Sequence, residues 1–307
     1  MKKLVVSILF ILVGVFVTDR VGGLVMQWVN LHTHDVTGPK IKHLVYDVGE
    51  DVIMMGTSRC NSHYVPSIIS DSIGMSVYNG GIDASNNIFS HYIILNHILA
   101  CHAPKVICLE VQNSDCFRQT GTFNSISFFA PYFGRNAQAD SVFLLAGSYW
   151  KYKLSHLYRY NSKAVSNIAG LLINRHEGGD NGYIPNPKPV RSPQVLSHAN
   201  TRHDVDSTKI NYVNRFVNLC RQHHVKLVFV VSPMYRQVDA DHYDVLKALA
   251  KSYDIPFLDY HTTGLFQDHP EYFRDVTHLW DQGARAYSSI FASDLKQVLL
   301  QLPAESH

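Results

Sequence analysis

The chain has 307 residues, 46% of them hydrophobic and 17% charged, which is enough apolar material for one sizeable core with room for a large insertion. The formal net charge is only +2 and there is no Lys/Arg-rich run, so the composition excludes a nucleic-acid footprint. Five cysteines (Cys60, Cys101, Cys108, Cys116 and Cys220) are odd in number and lack metal-like spacing, so free buried thiols are expected rather than a disulfide framework.

The chain opens on Met1-Lys2-Lys3 and an apolar run from Leu4 to Val17, the charged and apolar regions of an export signal. No Ala-x-Ala cleavage site follows, and Val21 to Val25 extend the run beyond Asp19-Arg20. Residues 1–25 therefore read as an inner-membrane signal anchor facing the periplasm or cell envelope, with a cleaved signal peptide as the alternative. Residues 26–45 show little periodicity and read as a tether. His32 and His34 within them lack a third ligand and read as surface histidines. The domain proper is expected over 46–307.

Within it, short apolar runs alternate with helical patterns. Val52 to Met55 reads as a buried strand, Pro66 to Ile73 as a short helix and Met75 to Tyr78 as a second strand ending in Asn79-Gly80-Gly81. Residues 86–101 place Ile88, Tyr92, Leu95, Ile98 and Leu99 at helical spacing, which predicts an amphipathic helix. A third strand follows over Val106 to Val111, giving a βαβαβ unit with a parallel sheet. From about 113 to 205 the rhythm breaks into an insertion rich in rings, among them Phe128, Phe129, Tyr132, Phe133, Tyr149, Trp150, Tyr152, Tyr158 and Tyr160. This insertion is expected over the carboxyl edge of the sheet, where it can wall a binding site, with most of its rings packing the insertion's own small core and a loop at 178–185. Alternation resumes with a helix over 207–224, a strand over Lys226 to Val231, a helix over 239–253, a strand over Pro256 to Asp259 and a last helix over 281–300. The result is a three-layer α/β/α fold with a five-stranded parallel sheet.

Two stretches carry chemistry. In Asp275-Val276-Thr277-His278, an aspartate and a histidine three residues apart form a general base, the carboxylate fixing the tautomer that leaves one ring nitrogen free. In Gly56-Thr57-Ser58-Arg59, a serine sits on a tight turn after the first strand, at the carboxyl edge where open α/β sheets place their sites. Ser58 is the expected nucleophile, and Arg59 is expected to brace the turn.

These residues resemble the SGNH (GDSL-like) hydrolase superfamily over roughly 48–112 and 205–300. The Gly-x-Ser turn, the glycine of the second block (Gly81), the position of the third-block asparagine (Asn113) and the closing Asp-x-x-His (Asp275, His278) follow the family's order. The stretch His278-Leu279-Trp280-Asp281-Gln282-Gly283-Ala284 also looks like its His-Leu-Asn-x-x-Gly-Ala pattern. Thr57 stands where the family has aspartate, and the Gly-x-Ser-Arg form looks more like a membrane-anchored branch associated with envelope-polysaccharide acylation. The resemblance implies the flavodoxin-like strand order, a Ser58–His278–Asp275 triad, an oxyanion hole from Ser58, Gly81 and Asn113, and an acylated-glycan or other small ester substrate. No metal or organic cofactor is implied. Three functions fit it: an esterase, an O-acyltransferase served by a membrane-bound acyl donor, and a silent glycan-binding or assembly protein.

Overall fold

The computed structural model describes residues 1–35, 37–172, 179–191, 193, 198, 199 and 204–301. Its centre is a sheet of five parallel strands, β1 (Val52–Met55), β2 (Val77–Asn79), β3 (Val106–Glu110), β4 (Lys226–Val231) and β5 (Phe257–Asp259), in the order β2-β1-β3-β4-β5. Val52 pairs with Val77 on one side and Val106 on the other, so the strand order reverses at β1 and opens a crevice between the carboxyl ends of β1 and β3. A further two-residue pair, His198–Ala199 with Gln237–Val238, lies outside this sheet.

The helices are α1 (Lys2–His32), α2 (Gly38–Lys42), α3 (Ser58–His63), α4 (Pro66–Ile73), α5 (Ile88–Cys101), α6 (Ala137–Leu145), α7 (Tyr149–Leu154), α8 (Ala164–Leu172), α9 (Ser207–Gln222), α10 (Asp244–Ser252) and α11 (Asp281–Gln301). Successive strand residues point to opposite faces, and the packing follows that period of two. Val52, Met54, Val106, Cys108, Val228 and Val230 meet Tyr64, just after α3, Ile69 of α4 and Tyr287, Phe291 and Leu295 of α11. Ile53, Met55, Ile107, Leu109, Phe229 and Val231 meet α5, α9, α10 and the inserted region. Local signals fix the ends: Asn87 caps α5 by accepting from Phe89 and Ser90 N–H, Asp206 caps α9, and Gly74 closes α4 in the left-handed region.

Three expectations differ from what is observed. The tether over 26–45 is not extended: α1 runs unbroken to His32, and Ile41, Leu44 and Val45 are buried in the core. Close packing causes this, since a Cβ on Gly23 would stand 2.5 Å from that of His156, while Met26 and Val29 bury against Tyr160 and the Asn30 Oδ1 accepts from Asn167 Nδ2 at 2.9 Å. Helix α5 is not amphipathic but buried on every side from Ile88 to Ile98, because 43–47, α6 and the 3₁₀ turns at Asn124–Tyr132 cover its outer face. The ring-rich body of the insertion packs its rings on one another, as expected, but does not lie over the carboxyl edge. The rings pack over α5 and beside α1, with Phe133 against Phe143, Tyr149 and Tyr152 at 5.7, 5.1 and 6.0 Å between centroids. The loop expected over 178–185 has no helix or strand across its described part, 179–185, and its Tyr183 reaches the site, as described below; Gly178, with 173–177, lies outside the described residues. The five cysteines are unpaired, Cys101 exposed and the others buried.

Candidate active site

Strand β1 ends at Met55, and Gly56 turns the chain into α3 with Ser58 as its first residue. The turn leaves no room for a side chain: a Cβ on Gly56 would lie 2.6 Å from that of Cys60 and 2.7 Å from that of Glu110. From the other end of the chain, the loop between Phe273 and Leu279, closed by a bridge between those two residues, carries Asp275 and His278 to the same edge.

Ser58 Oγ lies 2.9 Å from His278 Nε2, and His278 Nδ1 lies 3.0 Å from both Asp275 oxygens. The carboxylate accepts from both the Thr277 and His278 N–H groups at 2.8 and 2.9 Å, and from Thr277 Oγ1 at 2.8 Å. Burial alone would raise the Asp275 pKa, but the His278 and Thr277 hydrogen bonds outweigh it and hold the carboxyl far below its usual range. A permanent carboxylate at Nδ1 fixes the tautomer with Nδ1–H toward Asp275 and Nε2 free to accept from the Ser58 hydroxyl.

Behind this relay lies a buried polar network. Leu279 N–H donates to His63 Nε2 at 2.9 Å, and His63 Nδ1 donates to Ser232 Oγ at 2.9 Å. Ser232 Oγ in turn donates to Glu110 Oε1 at 2.9 Å, and Tyr64 Oη donates to Glu110 Oε2. Burial, with the nearby Arg59 charge, pushes the His63 pKa well below its ordinary value, so the ring is neutral and serves as both donor and acceptor. Arg59 closes the network with Nη2 3.1 Å from Glu110 Oε1, which gives it the bracing position expected, and Cys60 beside it is fully buried. The return of the insertion adds a clamp: Asn186 Nδ2 donates to Ser62 Oγ and to Leu279 O, each at 2.9 Å, and Tyr183 Oη donates to Asp281 Oδ1 at 3.0 Å. Neither Glu110, His63, Ser232 nor Asn186 stood out in the sequence; only a charged residue at the end of an otherwise apolar strand, Glu110, gave a signal.

The structure separates the remaining expected residues. Asn113 lines a cleft of about 390 Å³ with Ser58 and His278. Its Oδ1 is buried without a partner, and its Nδ2 makes no hydrogen bond among the described residues. Gly81 is not in the cleft: its N–H donates to Asn79 Oδ1 at 3.0 Å, and it faces a small hollow with Lys40 and Asn61. Asn79 takes that donor because its side chain staples β2 to α3, donating to Cys60 O at 2.7 Å and Tyr64 O at 2.8 Å. The expected Gly81 oxyanion donor is therefore corrected to a structural position. Asn86, Gln112, Gln119, Arg236, His242 and His261 are among the polar groups of the wall, with Met234, Val238 and Tyr243 among its apolar ones.

Fold and site together define a three-layer α/β/α protein with a serine–histidine–aspartate relay at the carboxyl edge of a parallel sheet. No protein-family model matches the chain, and no curated protein sequence matches it. Solved structures similar to it include the following two. One, described as a "putative acylhydrolase" from Bacteroides fragilis, is 14% identical with a TM-score of 0.42, covering 89% of this chain and 99% of its own. The other, a "putative lipolytic protein of G-D-S-L family" from Desulfitobacterium hafniense, is 10% identical with a TM-score of 0.41, covering 79% and 98%.

Proposed function

We propose that the protein is a serine-dependent esterase acting on short O-acyl groups of envelope carbohydrate, held at the membrane by α1. The observation that carries the reading is the continuous relay from Ser58 Oγ through His278 to Asp275, at 2.9 and 3.0 Å, opening on a cleft. His278 Nε2 takes the Ser58 proton as Oγ attacks the ester carbonyl carbon, and the imidazolium is stabilised by Asp275. Charge on the carbonyl oxygen is met by the Ser58 N–H, at the first turn of α3, and by Asn113 Nδ2. The tetrahedral carbon collapses, the sugar alcohol leaves with the proton from Nε2, and water repeats the cycle to release the acid and restore Ser58. The amides and hydroxyls of the wall, Asn86, Gln112, Asn113, Ser114 and Gln119 among them, can bond a polyhydroxylated leaving group, and the apolar surface of Met234, Val238 and Tyr243 can hold a short acyl chain or a sugar face. For the anchor, the support is that Leu4 to Val17 of α1 are exposed apolar residues in a helix long enough to cross a bilayer.

The test is peptide mapping of the full chain after reaction with a fluorophosphonate at neutral pH. A single adduct on Ser58, absent from His278→Ala, together with acetate release from O-acetylated glycan, is expected. A folded chain that forms no adduct and releases no acid overturns the reading. An acyl group moved onto added oligosaccharide faster than onto water makes the enzyme a transferase of the same relay.

A further inference from the structure

Residues 154–157 of the insertion are pinned at the height of Asp19 and Arg20 in α1. Asp19 accepts from Ser155 Oγ at 2.5 Å, His156 N at 2.9 Å and Leu157 N at 3.2 Å, and Arg20 Nη2 donates to Leu154 O at 3.1 Å. That height matters because the apolar run is short. The 15 residues from Leu4 to Thr18 rise about 22 Å, against a hydrocarbon layer of roughly 30 Å, which needs about 20 residues. Hydrocarbon bounded by Lys2-Lys3 on one side must reach to about Leu24 on the other, past Asp19. The helix is built for this: Val21, Leu24, Val25 and Trp28 are more than half exposed on its outward face, while Asp19 is satisfied from the inward side.

The insertion at the same level is dressed for the same boundary. Leu154 is 70% exposed, Trp150 one turn earlier on α7 is 63% exposed, and Leu157 is exposed beside them. Lys151 and Lys153 alternate with these residues and are exposed. Between α1 and the insertion lies a cavity of about 280 Å³ lined by Arg135, His156 and Arg159 together with Gly23, Leu24 and Gln27. Arg135 and Arg159 have no ion pair among the described residues; they lie over the Tyr46 and Phe133 rings at 4.2 and 5.2 Å.

We propose that the insertion is a membrane-surface module: Leu154, Leu157 and Trp150 enter the bilayer interface around the exit of α1, and the surrounding lysines and arginines take the phosphates of anionic phospholipids. The proposal rests on the reading of α1 as a membrane span. Apolar and aromatic side chains interleaved with cations are the composition that binds such an interface, and attachment to a spanning helix supplies the second anchoring signal.

The experiment uses the full chain in vesicles of phosphatidylcholine and phosphatidylglycerol. In a Cys101→Ser background the remaining thiols are buried, so Leu154→Cys, Trp150→Cys and, on α11 across the sheet, Lys296→Cys can each be labelled singly with a polarity-sensitive fluorophore. The expected result is co-flotation with vesicles, blue-shifted emission at positions 154 and 150 that lipids brominated near the headgroup quench, and red, unquenched emission at 296. A chain that floats but reports water at 154 and 150 overturns the docking and leaves the span standing. A chain that stays out of the vesicles overturns both.

Discussion

The cleft and the insertion are built from opposite materials. The cleft is held by directional bonds: Ser58, His278 and Asp275 are fixed by a network running through His63, Ser232 and Glu110, all buried polar groups with partners. The insertion is held by rings, Phe133, Phe143, Tyr149 and Tyr152, whose contacts define volume rather than direction. A reacting centre must be placed to a fraction of an ångström, which hydrogen bonds achieve; a covering layer must only exclude water, which apolar burial achieves.

The comparison predicts that damage to the two regions is read by different instruments. Ser58→Ala or His278→Ala is expected to lower kcat by about 10⁴-fold or more with the melting temperature little changed; loss of stability instead would mean that the relay is structural. Phe133→Ala is expected to cost about 3–5 kcal/mol in urea unfolding while turnover per folded molecule stays near normal. A fall in turnover without a fall in stability would erase the division. Asn113→Ala is expected to lower kcat by about a hundredfold with KM nearly unchanged, as for loss of one oxyanion donor.

The smallest effect lies where the two regions meet. Asp115, in the same 3₁₀ turn as Asn113, is buried, which pushes its pKa up to about 7 against the opposing Gln112 N–H bond; His91 beside it is pushed down to about 4 by burial. Folded Asp115 keeps its proton up to about pH 7, whereas the unfolded carboxyl loses it near pH 4, so between these values the folded state holds more protons and stability falls as pH rises. Asp115→Asn is expected to be more stable than the parent at pH 8, with the gap closing toward pH 4 in unfolding titrations; an equal gap at both pH values would contradict the raised pKa.

What could be read from the sequence follows the range of the forces. The strand Val52–Met55, the strand Lys226–Val231 and the helix Pro66–Ile73 coincide with their expected bounds, because apolar period and terminal residues are local. The pairing of Asp275 with His278 is equally local, three residues apart. That Gly81 faces away from the cleft was not legible, since it turns on Asn79 reaching α3, and neither was the return of Asn186 to Leu279, 93 residues away. The extension of α1 past residue 25 is likewise a tertiary effect, stabilised by α8 and Tyr160 and weakly signalled in 26–32.

The unbroken course of α1 into the folded body sets a working altitude. If α1 crosses a bilayer, its packing on the folded body leaves no flexible leash between cleft and lipid, so the relay operates at a standoff fixed by the fold and cannot forage outward. Substrates would then be selected first by where they are, with glycans still near the membrane within range and those already carried to outer layers beyond it.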